Sequence, residues 1–178
     1  MSGYCDFAPG HPVHAHYHDQ EYGFPLTDET GLFERLVLEI AQAGLSWELI
    51  LKKREGFRDR LAGFDVDRVA AFGEKEIAAY LSDPGVIRNR LKIGAFQHNA
   101  KVIQGLRDSH GGFYQWIEAQ HPLVKEEWVK LFRKTFKFMG PEIVGEFLMS
   151  SGVLPGAHRE NCPVQKRVRQ AQPLWLKA

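Results

Sequence analysis

Both cysteines of this chain sit near its ends, Cys5 and Cys162, and each has a histidine close by, His18 after the first and His158 before the second. Thiolate sulfur and imidazole nitrogen are the ligands zinc prefers, and two of each in a tetrahedron make a common structural site. Were all four side chains to meet on one ion, the N- and C-terminal segments would be cinched together around a single domain. The spacing His158-x-x-x-Cys162 puts two ligands about one helical turn apart, or on a loop that folds back. Treated as a crosslink, such an ion would relieve on the order of 5 kcal/mol of chain entropy in the unfolded state. A filled shell leaves no position open for water, so the site would be structural. Spacing alone also fits two buried free thiols and scattered surface histidines, of which the chain has 8.

A length of 178 residues suits one domain. Hydrophobic residues make up 44% and charged residues 25%, enough apolar material for a core. The formal net charge of +1 neither requires nor excludes a nucleic-acid partner, because a balanced total can hide a basic face. No run approaches the length of a membrane span and no signal peptide precedes Cys5, so the expected compartment is the cytoplasm and no membrane partner is expected. Thiols stay reduced there, which favours free cysteines or ligands over a disulfide.

Residues 1–26 read as an irregular arm, interrupted by Pro9, Gly10, Pro12, Gly23 and Pro25. Thr27 or Asp28 is placed to cap a helix in which Leu32, Phe33, Leu36, Val37 and Ile40 recur at helical spacing, ended by Gly44. Ser46 caps a second helix, expected to break near Gly56. Short helical pieces follow, and then Pro84-Gly85 forces a turn before a long helix over about 87–107. After Gly111-Gly112 come helices over 113–120, 125–132 and 143–150. Strand-like alternation is absent, so the expectation is an all-α domain over residues 1–165, with a polar tail, 166–178, expected to be mobile.

Two further groupings bear on chemistry. The stretch 81–87 turns the chain through Pro84-Gly85, and Arg88, Arg90 and Lys92 follow at the start of the next helix. Backbone N–H groups there, with the positive end of the helix dipole, suit a phosphate. This is the layout of a helix-hairpin-helix element gripping DNA backbone, although an ordinary helical corner fits the same residues. Separately, Glu39 stands at the edge of the apolar stripe, with Tyr17, Tyr22 and Trp47 near in sequence. A carboxylate among π-faces suits a flat, cationic, hydrogen-bond-donating ligand such as a damaged purine, whereas a half-solvated acid is the plainer reading.

The segments Tyr17 to Gly23, Leu38 to Trp47, Leu51 to Glu55, Gly85 to Ile93, Phe136 to Gly140 and His158-x-x-x-Cys162 resemble those of the bacterial 3-methyladenine DNA glycosylase I family. The resemblance runs from about Cys5 to Cys162. It implies an all-α helix-hairpin-helix glycosylase fold, with Cys5, His18, His158 and Cys162 on a structural zinc. It implies that Glu39 accepts hydrogen bonds from the methylated base and that Tyr17 and Trp47 line the pocket and stack on it. By the same resemblance Gly44 and Leu45 probe the gap left in the duplex, and Gly85, Val86, Arg88, Arg90 and Lys92 hold the phosphates. Phe7, His14 and Tyr22 stand where Trp, Tyr and Trp are expected, and Gly145-Glu146 where Tyr-Ser is; these departures bear on the base pocket. The implied reaction is monofunctional base excision from double-stranded DNA carrying alkylated adenine, by a monomer. The alternatives are a damaged-DNA or nucleobase-binding protein of the same fold without turnover, and a zinc hydrolase with an open metal position. Other helix-hairpin-helix glycosylases carry a catalytic Asp some twenty residues past the hairpin, and Asp108 lies at such a distance, but the family resembled uses no acid there, so a solvated Asp at a helix end is the expectation.

Overall fold

The computed structural model describes residues 3–177, and these contain helices and no strand. In chain order the α-helices are α1 (Tyr4–Phe7), α2 (Ala15–Gln20), α3 (Glu29–Gln42), α4 (Trp47–Lys52), α5 (Arg54–Arg60) and α6 (Val66–Ala70). They continue as α7 (Glu74–Ser82), α8 (Arg90–His110), α9 (Phe113–Gln120), α10 (Lys125–Thr135), α11 (Pro141–Ser150) and α12 (Pro163–Gln170). The axis is α3, whose residues Leu32 to Ala41 are all buried. Asp28 starts it, its carboxylate accepting the Gly31 N–H at 2.8 Å. Helices α4, α6, α8, α9 and α11 pack around it. Phe33, Phe57, Phe96, Phe113, Trp128, Phe132 and Phe147 fill the space between them, each fully buried and each contributing roughly 1.5–3 kcal/mol of transfer free energy.

A helix enclosed on every side must do something with its charged residues. Glu34 on α3 is bound by Arg54 at 2.8 Å and Arg58 at 3.0 Å. Arg54 also grips both oxygens of Glu21, at 2.8 and 2.7 Å, which moors the N-terminal segment to α3 and α5. Arg35 donates to the Ser150 carbonyl at 2.9 Å. Glu39 has no hydrogen bond among the described residues, although it is only 4% exposed.

Local structure departs from the sequence expectation at several points. The N-terminal arm is not irregular: α1 and α2 form because Tyr4, Ala8, Tyr17, Tyr22 and Ala157 make a small core of their own. The second helix breaks at Lys53, not Gly56. Gly56 lies inside α5, where its missing side chain lets the Gly85 carbonyl oxygen approach; a Cβ would lie 2.1 Å from that oxygen. The long helix begins at Arg90 because Asn89 caps it, accepting the Lys92 N–H at 3.0 Å. Lys92 does not join an exposed basic face. It is buried, and its ammonium donates to the Ala41 and Ala43 carbonyls at 2.9 Å each, closing the C-terminus of α3. Where a mobile tail was expected, α12 packs Val164 and Val168 beside Cys5 and Cys162, and Leu174 reaches the main core. The apolar pair four residues apart on an otherwise polar helix accounts for that docking.

The contact between α5 and the turn before α8 yields a direct test. Gly56→Ala should cost at least about 2 kcal/mol in urea unfolding, because the clash is with rigid backbone; a variant as stable as the parent would show that the close approach does not exist.

Candidate functional site

The N-terminal segment, the last turns of α3, the start of α4 and α11 enclose a cavity of about 310 Å³. Its walls are mostly aromatic. Tyr17 meets Trp47 edge-on at 5.1 Å and lies tilted to Tyr22 at 5.7 Å between ring centroids. Tyr4 packs edge-on against Phe7, His14 and Tyr22 at 5.2, 5.4 and 5.5 Å, and its hydroxyl pairs with His14 Nδ1 at 2.9 Å. Ser46 caps α4 through the Leu49 N–H at 3.2 Å, which fixes where Trp47 enters the wall.

Two carboxyl groups face this space, Glu39 from α3 and Glu146 from α11. Tyr22 donates its hydroxyl proton to Glu146 Oε2 at 3.1 Å. Burial pushes the Glu39 carboxyl up to about 8, the charge of Glu146 pushes the same way, and the Arg35 guanidinium pulls back. Burial likewise raises Tyr4, Tyr17 and Tyr22, so all three hydroxyls stay neutral. No lysine or arginine lines the cavity. The site is thus a π-walled cleft in which the buried Glu39 carboxyl lacks a hydrogen-bond partner and whose electrostatics favour a cation.

Every residue expected to face a base does line this cavity: Glu39, Tyr17, Trp47, Tyr22, Phe7 and His14. Gly44 and Leu45 are not among its lining residues; they lie in the turn between α3 and α4, between the lining residues Gln42 and Ser46, with Gly44 exposed at φ +79°. Sequence reasoning missed Tyr4, Gln42, Ser46 and Glu48 as lining residues. Gln42 was findable, since it lies one turn beyond Glu39 on α3. Glu146 was noticed only as a departure; Gly145 beside it does not open the cavity, because the Lys125 side chain occupies that side, 2.9 Å from where a Cβ would stand. Asp108 is exposed near the end of α8 and is not among the lining residues.

The predicted hairpin residues are split. Val86 is buried and anchors the turn, whereas Arg88 and Arg90 are exposed. Asp83 holds the turn together, accepting the Gly85 N–H at 2.7 Å and Arg60 at 2.6 Å. Lys53 donates to the Pro84 carbonyl at 2.6 Å.

Cys5, His18, His158 and Cys162 come together behind the aromatic wall, all buried, with their ligand atoms within 4.8 Å of one another. Sulfur-to-nitrogen separations are 3.7, 3.9 and 3.6 Å. Metal–sulfur and metal–nitrogen bonds of about 2.3 and 2.0 Å at tetrahedral angles require roughly 3.6 Å, so the cluster needs little movement to close on an ion. The outer nitrogens are already engaged: His18 Nδ1 with Asp19 Oδ1 at 2.7 Å, and His158 Nε2 with the Tyr22 carbonyl at 2.6 Å. Those partners fix both rings with the inner nitrogen free to ligate. His11, His14 and Glu48 form a second grouping, but it is chemically different. His11 Nδ1 accepts the Val13 and His14 N–H groups, which places the proton of the neutral ring on Nε2 and leaves no lone pair there for a metal.

Comparison with known proteins agrees with this geometry. Residues 7–166 match the model of the methyladenine glycosylase family. The chain is 33% identical over 169 residues to DNA-3-methyladenine glycosylase 1 of Escherichia coli, covering 84% of this chain and 90% of that one. It is 32% identical over 182 residues to DNA-3-methyladenine glycosylase of Haemophilus influenzae, covering 92% and 98%. Among solved structures, 3-methyladenine DNA glycosylase I from Staphylococcus aureus superposes with a TM-score of 0.80 at 27% identity, over 91% of this chain and 96% of that one. The chain belongs to the methyladenine glycosylase family.

Proposed function

We propose that the protein excises 3-methyladenine from alkylated double-stranded DNA by hydrolysing its N-glycosidic bond, as a monomer and without cutting the strand. The observation that carries this is Glu39: a buried carboxyl without a partner, in a π-walled cavity lined by no cation. A methylated purine that is still bonded to deoxyribose supplies the missing positive charge and an N–H donor. Extruding the nucleotide costs a few kcal/mol, and stacking on Tyr17 and Trp47 returns roughly 1–3 kcal/mol per base. Gly44 and Leu45, in the turn between the lining residues Gln42 and Ser46, would fill the gap in the duplex.

The chemistry asks little of the protein beyond recognition. The C1′–N9 bond breaks, and its electron pair neutralises the cationic ring, so the base leaves neutral without prior protonation. Water adds to C1′ and gives its proton to solvent. Stabilising the cation by Glu39 as the base unstacks, with tyrosine hydroxyls kept neutral around it, is how the pocket separates damaged from ordinary adenine. Four buried thiol and imidazole ligands, with outer nitrogens held by Asp19 and the Tyr22 carbonyl, fit zinc in a closed structural shell. Zinc there supplies only a crosslink. We further propose that α7, the turn 83–89 and α8 act as a helix-hairpin-helix element, with Gly85, Arg88 and Arg90 meeting phosphate.

Release of free base from methylated duplex DNA tests the function directly; duplex binding without release would leave the binding-only alternative. Glu39→Gln should cut release at least a hundredfold. The same variant carries a stability signature. Glu39 is raised in the fold, so the wild type loses stability as pH climbs from its unfolded value near 4.5 through about 8. The variant, which does not titrate, should therefore gain about 3 kcal/mol relative to wild type between pH 5 and pH 8; a pH-independent difference would argue against the buried acid.

Cys162→Ser should abolish stoichiometric zinc and cost at least about 2 kcal/mol in chemical unfolding; full zinc content in that variant would exclude the ligand set. Duplex affinity should fall with salt, and Arg90→Ala should reduce the slope of log K against log salt by about 1; an unchanged slope would remove Arg90 from the phosphate contacts.

A further inference from the structure

Glu146 is a second carboxylate in the base pocket, and the excision of 3-methyladenine leaves it without a task. It enters from α11 and lines the same cavity as Glu39. Its Oε2 accepts the Tyr22 hydroxyl at 3.1 Å, and its Oε1 has no hydrogen bond among the described residues. The aim of this carboxylate is fixed, because Tyr22 is itself buried and wedged between Tyr4 and Tyr17. No lysine or arginine in the wall neutralises it. The hydrogen-bonding edge of adenine carries one donor group, the 6-amine, and beside it N1 presents a lone pair that repels a carboxylate. Glu39 is enough to satisfy that amine. A ligand that makes use of both carboxylates needs donors on two neighbouring nitrogens as well as a positive charge.

Guanine has that edge: N1–H and the 2-amine point the same way, spaced to meet the two oxygens of a carboxylate. Methylation at N7 adds the charge. We infer that the pocket also takes N7-methylguanine from DNA, with Glu146 as the residue that recognises its N1–H and 2-amine. The inference rests on the glycosylase reading above. The step balances in the same way: the C1′–N9 bond breaks, its electrons neutralise the methylated ring, water oxygen bonds to C1′, and a proton passes to solvent. Ordinary guanine offers the same donors but no charge, so its bond to deoxyribose is not weakened and its neutral ring leaves the two carboxylates uncompensated.

The test uses the full-length, zinc-replete protein and duplex DNA treated with a methylating agent, which holds N7-methylguanine and 3-methyladenine side by side. Released bases are resolved chromatographically. Wild type should release both. Glu146→Gln keeps an acceptor for Tyr22 and removes the charge; it should lower N7-methylguanine release at least tenfold relative to 3-methyladenine release. Tyr22→Phe, which frees Glu146 from its aim, should lower the same ratio by a smaller factor. Glu146→Ser replaces the Gln variant if melting shows that the latter is misfolded. Release of 3-methyladenine with no N7-methylguanine from wild type overturns this inference and leaves the glycosylase reading standing. Release of neither base overturns both. An unchanged ratio in Glu146→Gln overturns the role of Glu146.

Discussion

The complete enclosure of α3 is the constraint from which the rest follows. A helix with solvent on one side can turn its acids outward, whereas this one buries Glu34, Arg35 and Glu39 along with its apolar residues. Glu34 and Arg35 are matched by guanidinium and carbonyl groups from α5 and the end of α11. The third, Glu39, has no hydrogen bond among the described residues and only the nearby charge of Arg35 in its favour. Leaving a carboxyl unpaired at that depth costs several kcal/mol if it is ionised, and burial accordingly pushes Glu39 up to about 8. The pocket therefore lies where α3 presents a buried carboxyl without a hydrogen bond.

That face of α3 becomes a pocket only because the N-terminal segment closes over it. Tyr4, Phe7, His14, Tyr17 and Tyr22 all belong to the segment before α3, which contains only the short helices α1 and α2. Such helices do not hold themselves together in water. Three attachments hold them: the Arg54 fork on Glu21, the small aromatic core with Ala157, and the cluster of Cys5, His18, His158 and Cys162. His18 follows Tyr17 directly, and His158 hydrogen-bonds the Tyr22 carbonyl. The cysteine–histidine cluster thus sets the backbone position of two pocket walls while none of its four side chains lines the cavity.

How much of this was legible in the sequence depended on the range of the forces involved. Capping is local chemistry: of Thr27 and Asp28 it is Asp28 that caps α3, and Ser46 caps α4, so both helices begin next to the residues that signal them. The wall residues of the pocket were readable through their resemblance to a known family, and all six line the cavity. What the sequence concealed was long-range. Gly56 reads as a helix breaker until Gly85 is seen against it. Lys92 reads as a DNA contact until it is found capping α3, some fifty residues away along the chain. Glu146 shows no local signal, because a carboxylate on a helix face is normally solvated; its meaning comes from Tyr22 across the fold. The last segment reads as a tail because its polar residues outnumber Val164 and Val168, yet two apolar side chains beside the buried cysteine–histidine cluster are enough to dock a short helix.

The same long-range contacts join the pocket to the proposed DNA-gripping turn. Trp47 stands on the first turn of α4, and Lys53 closes that helix and reaches the Pro84 carbonyl. Gly56, one turn on, receives the Gly85 carbonyl, and Arg60 holds Asp83 from the end of α5. From the aromatic wall to the turn 83–89, the path therefore runs through two short helices and three contacts, with no flexible linker. A flipped nucleotide must reach the cavity while its neighbours' phosphates are held, so the distance between the two sites has to be fixed more tightly than a loop allows. The bare Cα of Gly56 serves that end: the absence of a side chain lets the turn sit against α5, which sets the reach from backbone grip to base pocket.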